Sequence, residues 1–163
     1  TLKRKRAANP APGYEHVTDS LNAAIAQDSN LYLFASGQRS LRVNPRSSYG
    51  PWAVGKFYYR SAMVEQDNYF DAIDNLKQVN YFPDVPWFDA QAPVVKKWEA
   101  LAEKCLTVVK NPTAQDSYTP DLQALRQAVQ STLKHAQGTL KDLSDMKASV
   151  KRGVRVRLTS AGG

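Results

Sequence analysis

The chain has 163 residues, of which 42% are hydrophobic and 23% charged, with a formal net charge of +7. That size suits one domain, or one domain with tails, and the composition is ordinary for a globular chain rather than a disordered one. No run of about 18 apolar residues predicts a transmembrane helix, and the single cysteine, Cys105, excludes an internal disulfide and any cysteine-rich metal site.

Residues 1–13 read as extended, because Pro10 and Pro12-Gly13 break any helix. A first helix is expected over about 15–35, where Val17, Leu21, Ala24, Ile25 and then Leu31 or Tyr32 follow helical spacing. The Gly, Ser, Asn and Pro content of 36–51 predicts a loop. A second helix is expected over 51–79, with Tyr58, Ala62, Tyr69, Ile73 and Leu76 on one face and Pro51 in its first turn. Residues 80–93 read as a break, since they contain Pro83, Pro86 and Pro93. The segment from Tyr81 to Phe88 is nevertheless strongly apolar, so it must pack as a lid over one end of the body or serve as an aromatic docking surface.

A third helix should open at Pro93 and close at Asn111-Pro112, carrying Trp98, Leu101, Ala102, Cys105 and Val109. The thiol of Cys105 lies on that apolar stripe, which predicts a buried, inert residue. The fourth helix has the strongest signal. Thr119 reads as its N-cap, Pro120 as its first residue, and Asp121 favours the first turn. Its stripe runs through Leu122, Leu125, Val129, Leu133, Ala136, Leu140, Leu143 and Met146, with Gly138 a mild weak point. After Gly153 the period changes to two, in Val154-Arg155-Val156-Arg157-Leu158, which suits an extended segment that adds to a partner's sheet edge or lies along a polyanion. Together these elements predict an all-α, up-down four-helix bundle body over 15–146. Extended basic tails over 1–14 and 147–163 complete the expected organisation.

The charge is concentrated in those tails. Lys3, Arg4, Lys5 and Arg6 precede the first acid, Glu15, and Lys147, Lys151, Arg152, Arg155 and Arg157 follow the last one, leaving the body between them slightly acidic. Charge gathered at the chain ends reads as arms for an acidic protein surface, an anionic membrane or a nucleic acid. Arg39, Arg42 and Arg46 form a third basic cluster in the expected 36–51 loop. Glu65, Asp67, Asp71 and Asp74 form an acidic helix face, either solvated or meeting a basic arm of another copy. The first residue is Thr rather than Met, so the chain is expected to be processed or a fragment, and a processed chain favours an organellar, lumenal or exported setting.

Catalytic constellations are absent from the pattern. There is no GxxxxGK[ST], GxGxxG, HExxH or GxSxG, and His16 and His135 lack a second ligand at metal-binding spacing, so each is expected at the surface or at a cap. No enzyme activity, metal or cofactor is expected. The aromatics cluster between residues 52 and 98, away from the basic runs, which favours packing over base stacking.

A small basic chain of four helices with an extended N-terminal arm resembles in architecture the Q-type extrinsic subunits of photosystem II. That resemblance implies a non-enzymatic accessory subunit docked on a larger assembly. The expected partner-binding residues are Lys3, Arg4, Lys5, Arg6, Arg39, Arg42, Arg46, Lys151, Arg152, Arg155 and Arg157, with Tyr81, Phe82, Trp87 and Phe88 as the aromatic surface. The alternative is a nucleic-acid packaging, coat or organellar ribosomal protein using the same arms, whose binding would fall steeply with salt.

Overall fold

Four α-helices follow one another in the computed structural model: α1, Tyr14–Val43; α2, Tyr49–Gln78; α3, Val85–Val109; and α4, Thr119–Lys151. The structure describes residues 14–79, 81–111 and 114–158, and side chains from Leu21 onward; the expected N-terminal arm lies outside them. Among the described residues there is no strand. Contacts at Phe34–Phe57, Glu65–Lys97 and Val109–Arg126 show each helix running antiparallel to the one before. The molecule therefore has two ends. One holds the links from α1 to α2 and from α3 to α4; the other holds the link from α2 to α3, the start of α1 and the chain beyond α4.

The three helices α2, α3 and α4 enclose the core, whereas α1 lies on α2 alone. The α4 stripe behaves as its spacing demands, with Leu122, Leu125, Val129, Ala136 and Leu143 buried and Leu133, Leu140 and Met146 half-buried beside them. Gly138 faces open space. At the centre, Trp98 is fully buried, and its indole N–H donates to the Thr132 hydroxyl at 2.8 Å, which in turn donates to Gln66 Oε1 at 3.0 Å. One polar chain thus ties α3 to α4 and α4 to α2 and satisfies groups that burial would otherwise penalise. His135, expected at the surface or at a cap, is half-buried instead, its ring 5.1 Å from that of Trp98 and 6.0 Å from that of Phe70.

Two glycines set the helix spacing. An added Cβ at Gly55 would lie 2.5 Å from Val109 Cγ1 and 3.1 Å from Leu125 Cδ2, so α2 meets α3 and α4 closely only because that position has no side chain. Gly37 does the same between α1 and α2, where a Cβ would fall 2.9 Å from the backbone nitrogen of Val54. This explains why α1 runs on to Val43 rather than ending near residue 35. Residues 36–43 have loop-like composition, but Gly37 admits close packing, Phe34 stacks 4.6 Å from Phe57, and the Ser36 and Tyr49 hydroxyls share a 2.6 Å hydrogen bond.

The expected break over 80–93 is also corrected. Only 79–84 connects α2 to α3, and Pro86 and Pro93 both lie within α3. The Asp84 carboxylate caps this helix by accepting from the Trp87 N–H at 2.9 Å, and Pro86 occupies the first turn, where its missing N–H costs nothing. Pro93 forgoes one backbone bond on the exposed side, while Phe88, Val95 and Trp98 hold the helix in the core on either side of it. At the start of α4 the cap position is Tyr118 rather than Thr119, whose hydroxyl instead accepts from the Asp116 N–H at 2.9 Å.

The turn end is stitched by one acid. Asp116 Oδ2 accepts from the Ser48 N–H at 2.8 Å and Oδ1 from the Tyr118 N–H at 3.0 Å, while the Ser48 hydroxyl donates to the Ala114 carbonyl at 3.0 Å. The Ser48 amide holds the Asp116 carboxyl below the ordinary range, with Tyr118, the Ser48 side chain and Thr119 adding to it against the opposing effect of burial. A lowered carboxyl contributes its stability at neutral pH and loses it as pH falls through the carboxylate range toward the folded value. Asp116→Ala should therefore lower the melting temperature at pH 7 and flatten its decline on acidification. An unchanged acid limb would show that this carboxylate does not hold the two turns together.

Cys105 is buried on the α3 stripe, and burial pushes its thiol up to about 12. Alkylation of the native protein at neutral pH should then proceed only through unfolding, at a rate that rises with denaturant in step with loss of helix. Fast labelling of the folded chain would contradict the packing of α2 against α3.

Candidate functional site

The expected partner-binding residues divide between the two ends of the bundle. Arg39 and Arg42 lie in the last turns of α1 and Arg46 in the turn after it, all exposed at the end stitched by Asp116. They belong to a helix and its turn rather than to one loop, as the sequence had suggested. Lys151, Arg152, Arg155 and Arg157 lie at the opposite end, one length of α2 away, or about 45 Å at 1.5 Å per residue. The chain enters α1 at Tyr14 at this same end. Lys3, Arg4, Lys5 and Arg6 lie outside the described residues.

The α4 terminus explains how the C-terminal basic residues are placed. Residues 147–151, expected in the tail, form the last turn of the helix, and the Lys147 ammonium pairs with Asp89 of α3. The helix ends at Gly153, whose φ of +86° is a left-handed conformation that glycine adopts without strain. Its N–H donates to the Val150 carbonyl at 2.9 Å, and the Val154 N–H donates to the Ser149 carbonyl at 3.0 Å. This paired closure satisfies the last carbonyls of α4 and turns the chain back across the bundle end.

Residues 154–158 then run extended, without pairing into a strand. Val154 is exposed, Val156 half-buried and Leu158 buried against the core cluster that includes Ile73 and Leu76. The arginines between them flank one aromatic ring, with the Arg155 guanidinium carbon 5.2 Å and that of Arg157 5.7 Å from the centre of Phe82. Each such contact at an exposed site is worth roughly 0.5–1 kcal/mol.

Beside this segment lies a cleft of about 290 Å³, floored by Ile73, Leu76, Pro83 and Leu158 and edged by Lys77, Tyr81, Phe82 and Arg157. Tyr81, half exposed, donates its hydroxyl to Asp84 Oδ2 at 2.8 Å. That bond pushes the phenol up and holds the Asp84 carboxyl below its ordinary range, with the Trp87 amide adding to the latter. Both oxygens of the Asp84 carboxylate are thus engaged, one by Tyr81 and one by the α3 cap.

The proposed aromatic surface divides as well. Tyr81 and Phe82 belong to the cleft, but Trp87 and Phe88 lie in the first turn of α3. Phe88 is buried in the core, and Trp87 meets it edge-on with ring centres 5.3 Å apart and lies tilted against Tyr69 at 6.5 Å. Their assignment to a docking loop is corrected, because α3 begins eight residues before the expected Pro93. Lys77 was missed; it stands among Asp71, Asp74 and polar residues, and only its place at a helix end beside an aromatic connection marks it. On the acidic face of α2, Glu65 pairs with Lys97 of the same chain at 3.1 Å, and Asp67, Asp71 and Asp74 are exposed.

Comparison with family models, curated proteins and solved structures finds no match to this chain. Among the described residues, no group of His, Cys, Asp and Glu is placed to hold a metal ion, and no helix is long and apolar enough to cross a membrane.

Proposed function

We propose that this chain is a non-enzymatic accessory subunit of a larger macromolecular assembly, docked through its cleft end onto an acidic surface. The observation that carries this reading is the placement of Arg155 and Arg157 on Phe82 beside an apolar cleft edged by Lys77. Guanidiniums held by an aromatic ring in a fixed place are suited to docking, because little side-chain freedom remains to be lost on binding. Lys151 and Arg152 add charge at the same end. An extrinsic position on a membrane complex, as in the Q-type subunits that the architecture resembles, is one setting in which such a chain would serve.

A nucleic-acid role is the weaker reading at this end. Two guanidiniums already contact the Phe82 ring and would compete with a stacked base. The test is sedimentation of a native extract. The chain should travel with a particle far larger than itself, resist nuclease, and be released as salt is raised. Migration of the chain alone at low salt would overturn the reading, and release by nuclease would replace it with the nucleic-acid one.

A further inference from the structure

The extended segment after α4 has a property that its charge does not explain. The last backbone hydrogen bond of the described chain is the one from the Val154 N–H to Ser149. From Arg155 to Leu158, neither an amide nor a carbonyl is hydrogen-bonded to a described residue. An extended run of backbone with open donors and acceptors is an edge to which another extended chain can add. Such edges are ordinarily paired, covered or too mobile to serve as a template.

This one is held at both ends and in the middle. The closure at Gly153 fixes where it starts, burial of Leu158 fixes where it ends, and the two arginines pin it to Phe82. The cost of ordering the edge has already been met in folding, which favours binding. Its surroundings select the chemistry of the added chain. Arg155, Arg157 and Lys77 surround the edge, so carboxylates on the incoming segment would be attracted and basic groups repelled. Side chains on an extended peptide alternate in direction, so an apolar residue between two acids would face the cleft floored by Ile73 and Leu76.

We propose that residues 154–158 and the adjoining cleft bind an extended segment of a partner protein in which acidic and apolar residues alternate, by backbone pairing along this edge. The proposal rests on the docked-subunit reading and names the kind of partner segment it requires. The probe is a fluorescent peptide of alternating Glu and Val, titrated into the full chain and followed by anisotropy. Saturable binding is expected. It should weaken by at least about tenfold in the Arg155→Glu, Arg157→Glu double variant, since like charges then face each other. The double variant also loses its two contacts with Phe82, so its melting temperature should fall modestly while its helix content at the assay temperature stays that of the parent chain. Loss of helix at that temperature would mean that the weaker binding reports unfolding and not the edge.

Methylating alternate backbone nitrogens of the peptide should abolish binding while leaving every side chain in place. Equal binding of the methylated peptide would overturn backbone pairing, and so would tighter binding of a single-stranded oligonucleotide than of the acidic peptide. If the peptide does not bind while the chain still travels with its particle, the edge proposal fails and the docked-subunit reading stands. If the chain travels alone, the docked-subunit reading fails.

Discussion

Trp98→Ala should cost the protein about 3–5 kcal/mol and unfold much of the chain at physiological temperature, since large-to-small changes at fully buried aromatic sites fall in that range. Trp98 has no exposed surface and packs between Phe70 and His135. Its removal leaves a cavity and deprives the Thr132 hydroxyl of a donor. Thr132 would keep its bond to Gln66, so the loss is not a complete break of the polar chain. Trp98→Phe separates the contributions. It keeps one aromatic ring in place but removes the N–H together with the volume of the second ring, so a loss smaller than that of Trp98→Ala is expected. Chemical denaturation followed by helix signal would measure both. A loss for Trp98→Ala no larger than for Trp98→Phe would contradict the placement of this ring at the centre of the bundle.

The two close-packed glycines should respond differently to the same change. Gly55→Val forces branched carbons into a site where one Cβ already lies 2.5 Å from Val109 Cγ1, with Val109 itself fully buried. Overpacking of this kind costs typically about 1–3 kcal/mol and more where the neighbours cannot yield. Because Gly55 faces α3 and α4 together, the whole three-helix core should melt earlier, in one transition. Gly37→Val instead presses on Ala53 and on the backbone of Val54. Since α1 touches α2 alone, that change should loosen α1 and leave the core of α2, α3 and α4 intact. Native-state amide exchange would show it: faster exchange confined to α1 for Gly37→Val, and throughout for Gly55→Val. Equal acceleration across all four helices in the Gly37 variant would show that α1 is not a separable layer.

These predictions also mark where the sequence was legible. The α4 stripe is a sustained period of three and four, so its buried face could be read residue by residue, and the change to period two after Gly153 marked the extended segment. The end of α1 was not legible, because Gly37 stands in a helix for a tertiary reason, the approach of Val54, that local composition cannot carry. Pro86 and Pro93 misled in a similar way. Proline disfavours a helix interior, but Asp84 starts α3 early enough to place Pro86 in a tolerated position, and core packing around Pro93 outweighs one lost bond. The basic residues of the site could be found by counting charge. Their division between opposite ends, the pairing of Arg155 and Arg157 with Phe82, and the part played by Lys77 all depend on how the helices return, and the sequence does not show it.

The end of the bundle that meets the partner decides between the cleft and the cluster of Arg39, Arg42 and Arg46 as the docking surface. A photo-crosslinking phenylalanine analogue placed at position 81, beside the cleft, or at position 42, in the last turn of α1, would decide it in the native assembly. Tyr81 and Arg42 are both exposed, so either position can report a neighbour. Docking through the cleft should give a covalent product with an acidic segment of one partner protein from position 81 and none from position 42. A product from position 42 alone would place the docking surface on Arg39, Arg42 and Arg46 and contradict it.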